Sequence, residues 1–395
     1  GTASGYGDCG RLGLRNTRSV CPSAAPFRTH TMASRRCCIK LLEQMSYSPT
    51  DEDRRYMRRA LQLARRAWGR TSPNPMVGCV IVRDGEVVGE GYHSRAGAPH
   101  AEPAALTAAG ARAKGAALYV NLEPCSTHGR TPPCTEAIIR AGIRRVVIGC
   151  LDPFPGHEGR GVETLRENGI AVDAGVLHNA AEDLNEAFLC WAKYRRPFVL
   201  LKMAMTLDGK IATAAGQSKW ITGPKARARV QKMRKWCDAL LVGGETARLD
   251  DPDLRVRTPK TWPRQPQKII WSGRTDFAND LRIWQDKDHP PLFVKPDTPE
   301  EWHECLEHLA HRDITALLVE GGGELAAACL NAGIVDKVAF FIAPKILGGR
   351  SSRPVVGGPD PVSLQDAVDI RDVKTQRVGD DLLVTGYLSD VHRSY

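Results

Sequence analysis

Apolar positions recur at three- and four-residue intervals from Met57 through Ala60, Leu61, Ala64 and Trp68, with arginines between them. This spacing puts them on one face and predicts an amphipathic helix. Asp51 and Asp53 suit the positively polarised start of that helix, and Gly69 stops it. Ser72-Pro73-Asn74-Pro75 then reads as a rigid loop before the apolar run 76–82, and Asp84-Gly85 turns the chain into 86–92, so a β-hairpin is expected. A helix over about 102–113, a strand at 117–122, a helix at 135–141 closed by Gly142, and a strand at 145–149 follow. That order predicts a three-layer α/β unit with a mixed sheet.

Leu184, Ala187, Phe188 and Trp191 mark another helix, which Arg195-Arg196-Pro197 ends because proline cannot continue it. A domain boundary is expected there, giving units 45–195 and 196–395. In the second unit, strands are expected at 198–205, 210–213, 239–242, 268–271, 292–294, 316–320 and 337–342. Helices are expected at 224–236, with Ala226, Val230, Met233 and Cys237 on one face, and at 324–331. This is a second α/β sheet, and no internal repeat is visible.

The length of 395 residues fits two or three domains, and 25% charged with 42% hydrophobic residues is ordinary globular composition. The longest apolar runs fall far short of the ~18–20 residues that cross a bilayer, so no membrane partner is expected. The net charge of +10 could suggest nucleic acid, but residues 1–44 hold seven basic residues against two acidic ones, about half the surplus. Solvated surface charge is the plainer reading of the rest, anionic substrate binding the next, and nucleic acid the last. Residues 1–44 read as disordered, an extension upstream of Met45, with an Arg-rich targeting peptide as the rival. Twelve irregularly spaced cysteines point to a reducing compartment, the cytoplasm by default.

The chemistry is concentrated at His100-Ala101-Glu102, Pro124-Cys125 and Pro132-Pro133-Cys134. Each metal-type residue falls at a predicted helix start or just after a strand, where free N–H groups favour thiolate over thiol. One imidazole and two thiolates, His100, Cys125 and Cys134, suit Zn²⁺ with a fourth position open to water. Zinc lowers the pKa of its water to about 7, and Glu102, two residues from His100, could shuttle the proton without binding the ion. Hydroxide attack at an amino-substituted ring carbon is the zinc deaminase reaction. A closed structural site with His128 as fourth ligand is the serious alternative; it leaves Glu102 without a task.

Ser72-Pro73-Asn74-Pro75-Met76-Val77-Gly78, His100-Ala101-Glu102 and the segment from Glu123-Pro124-Cys125 to Pro132-Pro133-Cys134 resemble the deaminase half of the bifunctional riboflavin-biosynthesis deaminase/reductase family. Nucleic-acid deaminases usually carry Cys-x-x-Cys here, so the longer insert argues for a free pyrimidine nucleotide. The resemblance implies a cytidine-deaminase-like fold and zinc-dependent loss of the ring amine from 2,5-diamino-6-(5-phosphoribosylamino)pyrimidin-4-one. Asn74 would help to hold the ring; a turn-forming asparagine is the plain alternative.

In the second unit, Glu320-Gly321-Gly322-Gly323 after a strand could bring bare backbone to a phosphate at a helix start, although a tight turn explains it equally well. Lys202, Lys219, Arg234, Arg255 and Arg257 could neutralise a phosphate or could simply be solvated. Lys202 to Lys210, Ser218 to Gly223 and Asp250 to Arg257 resemble the reductase half of the same family. That resemblance implies a dihydrofolate-reductase-like fold, NADPH as cofactor, and assembly of identical chains through the reductase domain. It places Ala204, Trp220, Thr246, Asp250, Ser272, Gly322, Gly323, Glu324, Leu325 and Ala326 along the cofactor, and Lys202, Ser218, Arg234, Leu254, Arg257 and Glu320 along the phosphoribosyl substrate. Glu245 stands where a small residue is expected, and 152–157 depart from the usual loop. A tRNA or nucleoside deaminase with an unrelated second domain, and a non-catalytic nucleotide-binding regulator, are the competing expectations.

Overall fold

The computed structural model describes residues 47–128, 132–259, 261–287 and 289–390. The reading of 1–44 as an extension lies outside them. Helix α1 (Asp51–Arg65) begins with a capping box in which Thr50 Oγ1 accepts from the Asp53 amide and the Asp53 carboxylate accepts from the Thr50 amide. Its predicted face is buried at Met57, Ala60, Leu61 and Ala64. Trp68 departs from that face: it lies beyond the helix, 39% exposed, and its indole donates to the Lys232 carbonyl at 3.2 Å.

Strands β1 (Gly78–Arg83) and β2 (Glu86–Tyr92) form the expected hairpin. Asp84 and Gly85 both have positive φ, 52° and 80°, the geometry that matches the twist of paired strands. Helix α2 (Ala101–Ala109), β3 (Ala117–Leu122), α3 (Cys134–Arg140) and β4 (Arg145–Cys150) follow within a few residues of expectation. Helix α4 (Arg160–Glu167) and β5 (Ala171–Ala174) were not expected; β5 is a four-residue edge strand whose short pattern carries little signal. The sheet order is β2-β1-β3-β4-β5, antiparallel on the hairpin side and parallel from β3 onward. Along β1, Val80 and Val82 face α1 and helix α5 (His178–Tyr194), whereas Cys79 and Ile81 face α2, α3 and α4. Strand alternation therefore builds the three layers.

The second sheet contains β6 (Phe198–Thr206), β8 (Ala239–Gly243), β9 (Gln267–Trp271), β10 (Leu292–Val294), β11 (Ala316–Val319), β12 (Lys337–Ala343), β14 (Arg371–Val378) and β15 (Asp381–Tyr387). Its order is β10-β9-β8-β11-β6-β12-β15-β14, parallel up to β12 and antiparallel beyond. The short pair β7 (Lys210–Ala212) and β13 (Arg353–Pro354) lies outside it. The final hairpin, β14–β15, was not expected: β14 is an exposed edge strand with charged and polar residues on both faces, so it carries no alternation.

Helices α6 (Pro224–Trp236) and α7 (Gly244–Asp250) pack on one face of this sheet through Ala226 and Ala247. Helices α8 (Pro299–Ala310) and α9 (Gly323–Asn331) pack on the other through Trp302, Leu306, Leu325 and Cys329. The chain leaves β8 through α7 toward β9 and leaves β11 through α9 toward β12, in opposite directions. A crevice therefore opens at their carboxyl ends, the usual ligand site of such sheets.

The two units meet where α1 ends. A Cβ on Gly69, whose φ is +72°, would lie 2.1 Å from the Lys235 carbonyl oxygen, so backbone packs on backbone there. The Arg70 guanidinium and the Lys235 ammonium lie 5.4 and 5.1 Å from the Trp262 ring centroid, in cation–π contact. Gly69→Ala should lower the thermal midpoint by several degrees, because it adds left-handed strain to a collision with backbone. Calorimetry checks this, and an unchanged midpoint would show that the junction tolerates separation.

Candidate active sites

His100 caps the start of α2 in extended conformation, Cys125 follows β3, and Cys134 is the first residue of α3. Their donor atoms lie within 4.8 Å of one another. His100 Nδ1 is 3.2 Å from Cys134 Sγ and 3.7 Å from Cys125 Sγ, and the Cys134 amide donates to Cys125 Sγ at 3.3 Å. A tetrahedral ion with bonds of roughly 2.0–2.3 Å needs ligands about 3.3–3.8 Å apart, so this nitrogen and these sulfurs fit zinc in both spacing and softness. The Cys134 hydrogen bond, working against burial and helped by His100, holds the Cys125 thiol down at about 4. The same bond, with burial, pushes the Cys134 thiol up.

Glu102 is buried in the first turn of α2. Burial, then the negative charge of Cys125, raises its carboxyl to about 7. His128 turns away from the trio toward Glu136, at 3.3 Å, with both side chains well exposed. The closed four-ligand alternative therefore has no support from His128. Gly129, Arg130 and Thr131 of the insert lie outside the described residues.

The structure adds residues that spacing did not reveal. His93 Nδ1 meets the Pro99 carbonyl at 3.0 Å; a carbonyl only accepts, so Nδ1 carries the proton. Desolvation keeps this imidazole below its usual pKa and hence neutral, and Nε2 accepts from Asn74 Nδ2 at 3.1 Å. The ring stands edge-on to His100 with centroids 5.6 Å apart, which places Asn74 beside the trio. Glu123 accepts four backbone N–H bonds, from Asp152, Gly159, Gly161 and Val162, and so anchors the strand end that presents Cys125. In the unusual loop, Asp152 binds His157 at 2.7 Å, and His157 reaches Thr127 in the insert at 2.8 Å. His93 and Glu123 lie close to the trio in sequence, but their roles rest on hydrogen bonds to carbonyls and amides that leave no periodic signal, which is why these were missed.

The crevice of the second sheet has a volume of about 940 Å³. Lys202, Ala204, Ser218, Trp220, Arg234, Thr246, Asp250, Leu254, Arg257, Ser272, Glu320, Gly322, Gly323, Glu324 and Leu325 all line it. Ala326 does not; it is fully buried in the apolar layer under α9, because it lies on the helix side facing the sheet. Asn74 belongs to the deaminase side, as expected. Arg255 turns to Asp253 at 2.9 Å instead of lining the crevice. Glu245 lines it beside Arg248, at 3.3 Å.

Arg234 and Glu320 form a buried fork-to-fork ion pair at 2.6 and 2.9 Å, so their charges largely cancel. Lys202 lies beside the pair and Arg257 is exposed at the rim. Gly321 and Gly322 have positive φ, and a Cβ on Gly323 would lie 2.7 Å from the Pro354 carbonyl oxygen, so this turn accepts little but glycine. Ser218 donates to Asp250 Oδ1 at 2.9 Å, and Trp220, 62% exposed, offers an open aromatic face. A crevice of this size, with glycine backbone at a helix start, fits a dinucleotide.

These two sites on these two sheets define a zinc-dependent deaminase joined to a dihydrofolate-reductase-like domain. Residues 50–150 match the cytidine and deoxycytidylate deaminase zinc-binding region, and 197–384 match the RibD C-terminal domain. The riboflavin biosynthesis protein RibD of Synechocystis is 42% identical over 358 residues, covering 85% of this chain and 96% of the relative. That of Escherichia coli is 42% identical, covering 84% and 98%. The Acinetobacter baumannii RibD structure (form 2) superposes with a TM-score of 0.77 at 34% identity, covering 85% and 98%. A Thermotoga maritima diaminohydroxyphosphoribosylaminopyrimidine deaminase/5-amino-6-(5-phosphoribosylamino)uracil reductase gives 0.77 at 36%, with the same coverage. The chain belongs to the RibD family of bifunctional riboflavin-biosynthesis enzymes, and its second domain is no unrelated appendage.

Cys125→Ser should leave less than about a tenth of the zinc of the parent after dialysis against a weak chelator, because a hydroxyl is a poor substitute for thiolate. Metal analysis per chain checks this, and full retention would remove Cys125 from the ligand set.

Proposed function

We propose that residues 45–195 remove the ring amine of 2,5-diamino-6-(5-phosphoribosylamino)pyrimidin-4-one, and that residues 196–395 reduce the resulting 5-amino-6-(5-phosphoribosylamino)uracil to its ribitylamino form with NADPH. The observation that carries this reading is a buried carboxyl, Glu102, in the first turn of the helix that His100 begins, beside a His-Cys-Cys trio at two helix starts. His100, Cys125 and Cys134 would hold a zinc ion, which would make water acidic enough to react near pH 7. Glu102 would take a proton from that water and pass one to the departing ammonia. Asn74 spends its amide N–H on His93, which leaves its carbonyl oxygen to accept from a ring N–H.

In the reductase crevice Ala204, Trp220, Thr246, Asp250, Ser272 and the Gly322–Leu325 segment would hold NADPH. The hydride belongs to the cofactor, and the protein supplies position and charge. Lys202 and Arg257 neutralise the substrate phosphate, Ser218 and Leu254 bound its chain, and the Arg234–Glu320 pair holds the floor rigid. Ala326 acts only through packing.

Identical chains assemble through the reductase domain. Strand β14 leaves a free sheet edge, and Val362 and Leu364 are 100% and 89% exposed on the arm that leads to it. A reducing cytoplasm suits the reading, since Cys125 and Cys134 must stay unpaired to bind metal. Among the described residues no helix is long and apolar enough to cross a membrane. The substrate is a free nucleotide rather than nucleic acid, as the long insert between the two cysteines favours.

The decisive assay offers the diaminopyrimidinone nucleotide with NADPH and follows ammonia and nicotinamide absorbance separately. Glu102→Gln should keep its zinc and cut ammonia release at least ~10²-fold, while reduction of already deaminated substrate stays at the parental rate. Full-speed deamination by this variant would defeat the assignment. Separately, the double variant Leu364→Asp with Val373→Lys should shift the mass in light scattering toward the single chain; an unchanged mass would place the interface elsewhere.

A further inference from the structure

The loop that carries Asn74 is held from outside its own domain. Ser72 Oγ and Thr315 Oγ1 lie 3.3 Å apart, although 243 residues separate them in sequence. Thr315 immediately precedes β11 of the reductase sheet and is 4% exposed. Its hydroxyl meets Asp238 Oδ2 at 2.7 Å, and that carboxylate also accepts the Thr315 and Ala316 amides at 2.7 and 3.0 Å. A carboxylate only accepts, so the Thr315 proton points at Asp238. Thr315 Oγ1 is therefore the acceptor for Ser72, and the direction of the link is fixed.

Around it the loop is clamped at further points. The Asn74 amide closes a turn onto the Thr71 carbonyl at 2.9 Å, and Arg264 donates to the Gly69 carbonyl at 3.2 Å. Met76 is gripped by Asn185, which accepts from its amide at 2.8 Å and donates to its carbonyl at 3.0 Å. Asn74, Ser72, Arg264 and Thr315 line one small cavity between the domains. The deaminase fold supplies Asn74, but the register of its loop is set against the amino-terminal edge of the reductase sheet.

We propose that Thr315, fixed by Asp238, is a positioning residue for deamination supplied by the reductase domain: through Ser72 it places Asn74 against the pyrimidine ring. This rests on the assignment of Asn74 as a ring-binding residue. Thr315 does not take part in reduction, because Glu320, the nearest crevice residue on the same strand, is roughly 17 Å of extended chain away.

The test uses the full-length zinc enzyme and three variants. Thr315→Val keeps the shape but removes the acceptor, so the deaminase KM should rise about tenfold with kcat within about twofold, as expected for lost binding that is equal in ground and transition states. NADPH-dependent reduction of deaminated substrate should be unchanged, and Thr315→Ser should restore the parental KM. Ser72→Ala should raise KM by a similar factor, and Ser72→Ala with Thr315→Val should be no worse than either alone, since both cut one link. A parental KM in Thr315→Val, or equal losses in both activities with a lowered thermal midpoint, would overturn the proposal. Asn74→Ala separates the two claims. If it raises KM while Thr315→Val does not, the positioning role fails alone; if Asn74→Ala leaves KM unchanged, the ring-binding assignment fails with it.

Discussion

A strand that hands its chain to a helix leaves backbone N–H groups pointing out of the helix start, and both sites of this enzyme are built on that constraint. In the deaminase, Cys134 is the first residue of its helix and its own amide donates to Cys125. The arrangement favours thiolate before any metal arrives. In the reductase, the glycine turn after β11 exposes the start of α9 to the crevice. The first site sets the polarised end against a cysteine sulfur, and the second turns it toward the crevice. One feature of backbone geometry thus supports two unrelated reactions.

The same topology keeps the reactions apart. The deaminase docks where the reductase strands begin, at Asp238 and Thr315, whereas the crevice opens where they end, at Gly243 and Glu320. Within one chain the two sites therefore lie toward opposite ends of the reductase strands. Fusion here provides a close-packed junction, seen in the backbone contact at Gly69 and the Trp262 cation–π pair. On the deaminase side the loop of Ser72 and Asn74 leans on that junction.

Several expectations changed, each for a reason of its own. Trp68 has the spacing of a core residue but reaches the other domain, since the helix ends before it. Arg234 and Glu320 read as two separate substrate contacts but spend most of their charge on each other. Ala326 follows the glycine turn in sequence yet faces the sheet, because successive helical residues point about 100° apart. Among the described residues strand β14 has no partner on its outer edge, and it carries no apolar alternation, so pattern alone passes over it.

The amino-acid pattern by itself determined the element order through most of both sheets and the metal trio with its carboxylate, because hydrophobic period and short motif spacing are local properties. It also determined the family, through motifs spread across the chain. Only tertiary structure decided that His93 orients Asn74, that Glu123 roots the cysteine loop, and that Thr315 reaches across the domain boundary. Those pairings join residues up to 243 positions apart, and no local period encodes which buried polar groups meet. They are settled only when every hydrogen-bonding group taken out of water must find a partner.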